Sequence, residues 1–233
     1  MITKDKVRLD FSDTPVVKAS GKAAQLVRRL ERYRDAKRIL VGPAARLQQI
    51  RINALTDGKE LLVSAPGLKE GFYLLLPYEI PFKNLSYAVG YKGLVQYGRK
   101  VAAEDLRQSP VGLVITDCLA VDPAGYFVGD GQGFFDLAVA ILLEWQGLSP
   151  EAEAYGVGEQ EQILDQEVEH AAWDIRLNGF VTPEGITLHN SEGHAAQRIL
   201  WDLLPPKRIR KITPLWKLSM QNKDALNAGE REE

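Results

Sequence analysis

Cysteine is almost missing: Cys118 is the single one in 233 residues, so no internal disulfide can form and a reducing compartment suits the chain. An excess of charge of one sign is missing too. Lysine and arginine total 29 against 31 aspartates and glutamates, a formal net charge of −2, without the basic surplus that nucleic-acid binding usually needs. No apolar run reaches the ~18–20 residues that span a bilayer. The first residues, MITKDKVRLDFSD, lack the apolar stretch of a secretory signal. Neither nucleic acid nor a membrane is therefore expected as a partner, and a cytoplasmic location fits. His170, His189 and His194 show no metal-ligand spacing, which argues against structural zinc. What is present, 45% apolar residues, suffices for a full core.

Charge is unevenly spread. Residues 18–60 carry Lys18, Lys22, Arg28, Arg29, Arg32, Arg34, Lys37, Arg38, Arg46, Arg51 and Lys59, whereas 144–174 are rich in acids. Such runs usually face solvent on helices, and the basic quarter is also the one reservoir of cations for an anion site.

Short apolar runs alternate with helical patterns. Ala19–Lys37 reads as a helix with Ser20 as N-cap, followed by a strand at Ile39–Val41. Ala44–Leu55 reads as a helix stopped at Asp57-Gly58, with strands at Leu61–Ser64 and Phe72–Leu76. Val111–Ile115 is a continuous apolar run of the kind found inside parallel sheets. Phe135–Gln146 reads as an apolar helix, and Ala152–Val157, Gln162–Leu164 and Phe180–Thr182 as strands. Between Ile80 and Gly93 the pattern is weak. The alternation predicts an α/β fold with a mostly parallel sheet flanked by helices. One domain over 1–218 is expected, with a polar tail over 219–233.

The most informative segment is the glycine turn Gly129-Asp130-Gly131-Gln132-Gly133, set between a strand and the helix that starts near Phe134 and Phe135. Glycines at alternate positions let backbone N–H groups approach a ligand closely, and the following helix N-terminus suits a phosphate. A tight strand-to-helix connection without a ligand would read the same. Asp136, in the first turn of that helix, either complements the helix dipole or holds Mg²⁺ facing a phosphate. Asp130 would repel a phosphate unless a metal lies between. Asp117 follows the apolar strand, at the strand end where open α/β folds place ligands, so Asp117, Asp130 and Asp136 are candidates to converge on one cation.

In order along the chain stand Arg51 with Asn53-Ala54-Leu55, Gly58-Lys59 before a strand, Pro66, Ala120-Val121-Asp122, Gly125 and the turn GDGQGFFD. Gln162 before Asp165, Asp174 and Val181-Thr182-Pro183 complete the set. This ordered set resembles the 5-formyltetrahydrofolate cyclo-ligase family, also called methenyltetrahydrofolate synthetases. It looks most like the divergent branch of methenyltetrahydrofolate synthetase domain-containing proteins, over about residues 15–215. The resemblance implies a ribose-5-phosphate isomerase/CoA-transferase-like fold. It also implies ATP- and Mg²⁺-dependent conversion of 5-formyltetrahydrofolate to 5,10-methenyltetrahydrofolate, with reduced folate and ATP as ligands. Gly129, Asp130, Gly131, Gln132 and Gly133 would then form the phosphate turn, with Phe134 and Phe135 as its aromatic pair. Asp136 and Asp117 would serve Mg²⁺, and Lys59 would meet ATP or folate charge; a solvated lysine is its competing reading. A homo-oligomer is left open.

The chain departs from that family's pattern where cations are expected. Phe127-Val128 supplies no base before the turn, Leu137 stands where arginine usually follows the motif aspartate, and Asp130 where tyrosine or lysine is common. Trp173-Asp174 replaces a His-Asp pair, and Asn178 an aspartate. The family's N-terminal lysine–arginine helix has no clear counterpart; Lys4, Lys6 and Arg8 match by position only. The helix bearing Arg28, Arg29, Arg32 and Arg34 is a candidate replacement. The alternative function is a member that kept the fold but lost or changed the activity, as a nucleotide- or folate-binding or regulatory module. Arg51 reads as a helix cap rather than an anion ligand, Cys118 as a small buried hydrophobe, and Lys207–Lys211 as a solvated strand or turn.

Overall fold

The structure is a computed structural model that describes residues 1–11, 21–189 and 198–229. Lys18, Ser20 and His194 lie outside the described residues. The chain opens with helices α1 (Lys4–Asp10), α2 (Gly21–Val27) and α3 (Glu31–Asp35). Strand β1 (Arg38–Val41), helix α4 (Gln48–Thr56) and strands β2 (Glu60–Ser64) and β3 (Phe72–Leu75) follow. Next come α5 (Leu85–Ala88), α6 (Tyr91–Tyr97), β4 (Arg99–Lys100), α7 (Ala103–Gln108) and β5 (Val111–Asp117). A hairpin, β6 (Ala120–Val121) and β7 (Phe127–Val128), leads to α8 (Phe134–Glu144). The remainder is β8 (Leu148–Val157), β9 (Gly179–Val181), β10 (Ile186–Leu188), α9 (Pro206–Lys211) and α10 (Thr213–Gly229).

Eight strands form one sheet in the order β10-β9-β8-β5-β1-β2-β3-β4. The five central strands, β9 through β2, are parallel, and antiparallel strands close both edges. The mostly parallel sheet flanked by helices is the one the alternating pattern predicts. Strand residues alternate between two cores, as the two-residue period of a strand requires. Ile39, Val41, Leu61, Val63, Leu113 and Ile115 pack with α2 and α4 on one face. Leu40, Leu62, Leu74, Val114 and Ala154 pack with α8 and the C-terminal residues Ile212, Leu215 and Leu218 on the other. Residues exposed on neither face explain why these strands read as unbroken apolar runs.

Several expectations differ from the structure. The helix expected over 19–37 is two helices, because Leu30 takes extended angles (φ −56°, ψ 133°) and turns itself and Tyr33 into the core. Gln162–Leu164 is not a strand: Gln160–Gln162 forms a 3₁₀ turn, and Ile163 makes a lone bridge to Val121. There the Gln162 amide itself serves the Cys118 and Leu119 carbonyls. Lys207–Lys211 belongs to α9, opened by Pro206. The polar tail expected from 219 continues α10 as far as Gly229, and 230–233 lie outside the described residues. Among the described residues no helix is long and apolar enough to cross a membrane.

Candidate functional site

A cavity of about 900 Å³ opens at the carboxyl ends of the central strands. Its floor is Gly42 and Pro43 after β1, Ser64 and Ala65 at the end of β2, and Thr116, Asp117 and Cys118 at the end of β5. This placement follows from topology: in parallel sheets the loops that leave the carboxyl ends diverge to opposite faces and leave a crevice.

The glycine turn forms one wall. Gly131 (φ +83°) and Gly133 (φ +60°) adopt left-handed angles that a side chain would strain, and Gly133 is the N-cap of α8 with no side chain to cap the helix. The first N–H groups of α8 therefore receive no side-chain cap from Gly133. Asp130 folds back so that its Oδ1 accepts from Gln132 N at 2.9 Å, a bond that engages the carboxylate within the turn itself. Gly129, Asp130, Gly131, Gly133, Phe134, Phe135 and Asp136 all line the cavity. Gln132, expected among the phosphate ligands, is exposed and outside that lining. Its N–H is taken by Asp130 and its carbonyl by Arg208.

The cations missing from the turn's own sequence arrive from elsewhere. Helix α1 is held by Thr3, whose Oγ1 accepts from Lys6 N at 3.2 Å, and by Val7 packing among Ala120, Val128 and Val168. Lys4 and Arg8, one helical turn apart, line the cavity, and Arg8 Nε donates to the Gly129 carbonyl at 3.0 Å. Arg46, just before α4, lines it as well and stabilises the Asp117 carboxylate. Lys6 is exposed and outside the lining. The basic helix residues expected to compensate do not take part. Arg28 pairs with Asp57 and Arg32 with Glu151, at the other end of the sheet.

Lys59 is likewise corrected. It precedes β2, so it sits at the amino end of the sheet, with Nζ donating to the Arg34 carbonyl at 2.6 Å and lying 5.4 Å from the Tyr33 ring centre. Arg51 is no anion ligand: it is buried and donates to the carbonyls of Gly42, Ala44 and Val89, the last of which closes α5. Burial pulls its pKa down to about 10.

The acids sort into two groups. Burial raises the Asp117 pKa, Arg46 opposes the rise, and the neighbouring Asp130 charge adds to it. Burial pushes Asp136 up to about 6, against a hydrogen bond from Ile175 N at 3.1 Å, with Asp174 close by. Asp174 in turn is paired with Lys4 at 2.7 Å. Among the described residues no three His, Cys, Asp or Glu side chains come together to hold a metal, so the convergence of Asp117, Asp130 and Asp136 does not form. Mg²⁺ needs no such cage, since it commonly takes one or two carboxylates together with phosphate oxygens and water. Cys118 is buried, and burial pushes its thiol pKa up, which keeps it protonated and inert. Flat surfaces complete the lining: Phe135 stacks edge-on to Phe127 at 5.4 Å, His170 lies against Tyr126, and Trp173 is half exposed.

Sequence reasoning missed Arg46 and Gln162 as cavity residues, and named Lys4 and Arg8 by position only. The available signal was their i, i+4 spacing behind a Thr N-cap.

Fold and site together define an α/β protein with a glycine turn lining a cavity at the carboxyl edge of a parallel sheet. The model of the 5-formyltetrahydrofolate cyclo-ligase family matches residues 4–183, and the chain belongs to that family. It is 25% identical over 214 residues to the methenyltetrahydrofolate synthase domain-containing protein of Danio rerio, covering 91% of this chain and 56% of that protein. The Homo sapiens protein of the same name is 25% identical over 217 residues, covering 91% and 55%. The chain thus spans little more than half the length of these relatives. A solved 5,10-methenyltetrahydrofolate synthetase from Mycoplasma pneumoniae superposes with TM-score 0.46 at 11% identity, covering 77% of this chain and 96% of that one.

Proposed function

We propose that the chain is an ATP- and Mg²⁺-dependent 5-formyltetrahydrofolate cyclo-ligase that forms 5,10-methenyltetrahydrofolate. The observation that carries this reading is the arrival of Arg8 at the glycine turn, with Lys4 in the same cavity, which supplies cations where the turn's own sequence has Val128 and Leu137. Family membership and the names of the relatives support the same reading.

The bound nucleotide supplies the phosphoryl group that converts the formyl oxygen into a leaving group. The chain's own residues bind and orient. The N–H groups of Gly131, Gly133 and Phe134 receive phosphate oxygens, reinforced by the α8 dipole. Lys4 and Arg8 neutralise phosphate charge through charge-assisted hydrogen bonds. Asp136, with Asp117 as a second carboxylate, would hold Mg²⁺. The lining carries Lys4, Arg8 and Arg46 against Asp5, Asp117, Asp130, Asp136, Glu169 and Asp174. That acid excess repels a bare polyphosphate and accepts one that brings a divalent cation. Phe127, Phe135, His170 and Trp173 offer ring faces to a flat pterin. No protein nucleophile is needed, because alignment of the two reacting groups does the work.

The test is the rise of methenyltetrahydrofolate absorbance when ATP, Mg²⁺ and 5-formyltetrahydrofolate are supplied. Absence of turnover by folded protein with Mg²⁺, Mn²⁺ and Ca²⁺ overturns the proposal. If calorimetry then shows both ligands bound without ADP release, the chain is a binding module.

A further inference from the structure

The family match ends at residue 183, yet the segment from Pro205 to Leu215 reaches back to the cavity. Arg208 of α9 donates to the Gln132 carbonyl and places its guanidinium 5.1 Å from the Phe134 ring centre. Phe134 is the first residue of α8, directly after the last glycine of the turn. Its other neighbour is Gly67, where an added Cβ would lie 3.4 Å from the ring. Gly67 and Leu68 form the cavity rim beside Phe134. The same C-terminal segment holds that rim too, since Thr213 N donates to the Lys69 carbonyl at 3.0 Å. Ile212 and Leu215 are buried in the core beneath and anchor the segment, with Ile209 packed against them.

We infer that the α9 segment is a strap that ties the glycine turn to the Pro66–Leu68 rim, and that Arg208 is the positioning residue that holds the turn in its phosphate-receiving conformation. This rests on the reading of the cavity as a nucleotide site. The physical need is plain. Glycines at 129, 131 and 133 leave the turn conformationally free, and a free turn loses entropy whenever a ligand fixes its N–H groups. Two arginines remove that freedom beforehand, Arg8 through the Gly129 carbonyl and Arg208 through the Gln132 carbonyl. Arg8 lines the cavity and can meet the ligand; Arg208 does not, so it acts only through the turn. Each guanidinium holds one carbonyl of the turn and so fixes the peptide plane that carries it. The ring of Phe134 is gripped between cation and glycine, which also fixes where α8 begins.

The test compares full-length wild type with Arg208→Met, Arg208→Lys and, as control, Arg210→Met, whose guanidinium bonds, among the described residues, to Pro206 of its own helix. The first readout is amide hydrogen exchange of the ligand-free protein. Arg208→Met is expected to speed exchange over residues 129–134 by about tenfold, with residues 48–56 of α4 unchanged. Lysine keeps a cation and a donor and restores most of the protection. The second readout is calorimetry with Mg·ATP and, separately, with 5-formyltetrahydrofolate. Arg208→Met is expected to weaken Mg·ATP about tenfold and leave the folate within about twofold. Unchanged exchange at the turn overturns the inference, as does faster exchange that spreads equally to α4. Equal weakening of both ligands overturns it as well. If wild type fails to bind Mg·ATP while the exchange pattern responds as expected, the strap stands and the nucleotide reading falls.

Discussion

Replacing Asp136 by asparagine tests the electrostatics of the cavity wall without disturbing its shape. Asparagine keeps the oxygen that accepts from Ile175 N and removes only the charge. In the folded protein, burial pushes the Asp136 pKa from 3.8 up to about 6. Below about pH 4 the carboxyl is neutral both folded and unfolded, and there is no penalty. As pH rises from there the unfolded chain ionises first, so the folded state loses stability, and the loss is complete above about pH 6. At about 1.4 kcal/mol per pH unit the full penalty is about 3 kcal/mol. Asp136 is only partly buried, and water in the open cavity screens it, which leaves about 1–2 kcal/mol. Asp136→Asn is therefore expected to stabilise the ligand-free protein by about 1–2 kcal/mol at neutral pH, a gain that shrinks toward zero near pH 4. Urea unfolding with a chelator present, run at both pH values, measures it. Equal stability of variant and wild type at neutral pH refutes the reasoning, as does a gain of the same size at both. On the proposed function the same variant should also lose turnover, because it removes a carboxylate that would hold Mg²⁺.

Arg8→Met should weaken Mg·ATP about 10- to 100-fold by calorimetry, through the loss of a charge-assisted contact and of the brace on Gly129. Gly131→Ala should lower stability by about 1–2 kcal/mol and weaken the nucleotide, because φ is +83° there and the new methyl meets Arg8 Nε at 3.2 Å; thermal unfolding and calorimetry read the two effects. Arg51→Met leaves the carbonyls of Gly42, Ala44 and Val89 without their donor and should cost about 3–5 kcal/mol in chemical denaturation. Lys59→Met should cost under about 1 kcal/mol and leave nucleotide affinity unchanged, since its carbonyl and ring contacts lie at the amino end of the sheet. A marked loss of affinity in that variant would return Lys59 to the site.

Runs such as Ile39–Val41 and Val111–Ile115 announced buried parallel strands, because residues that pack on both faces of a sheet must all be apolar. The glycine turn was legible for a similar local reason: only glycine at 131 and 133 tolerates the left-handed angles of that connection. Helix α1 left only its Thr3 cap and the i, i+4 pair Lys4 and Arg8 as a signal, since seven residues hold as a helix only once Val7 finds Ala120, Val128 and Val168. The break at Leu30 hid for the same reason, the apolar spacing being helical on both sides of it. The sequence by itself thus determined the sheet, the turn and the shortage of cations around it. Only the tertiary structure decided which cations make good the shortage. It chose Lys4, Arg8 and Arg46 over Lys59 and the arginines between 28 and 34, because charge acts through distance in space, and the fold puts one set at the carboxyl end of the sheet and the other at the amino end.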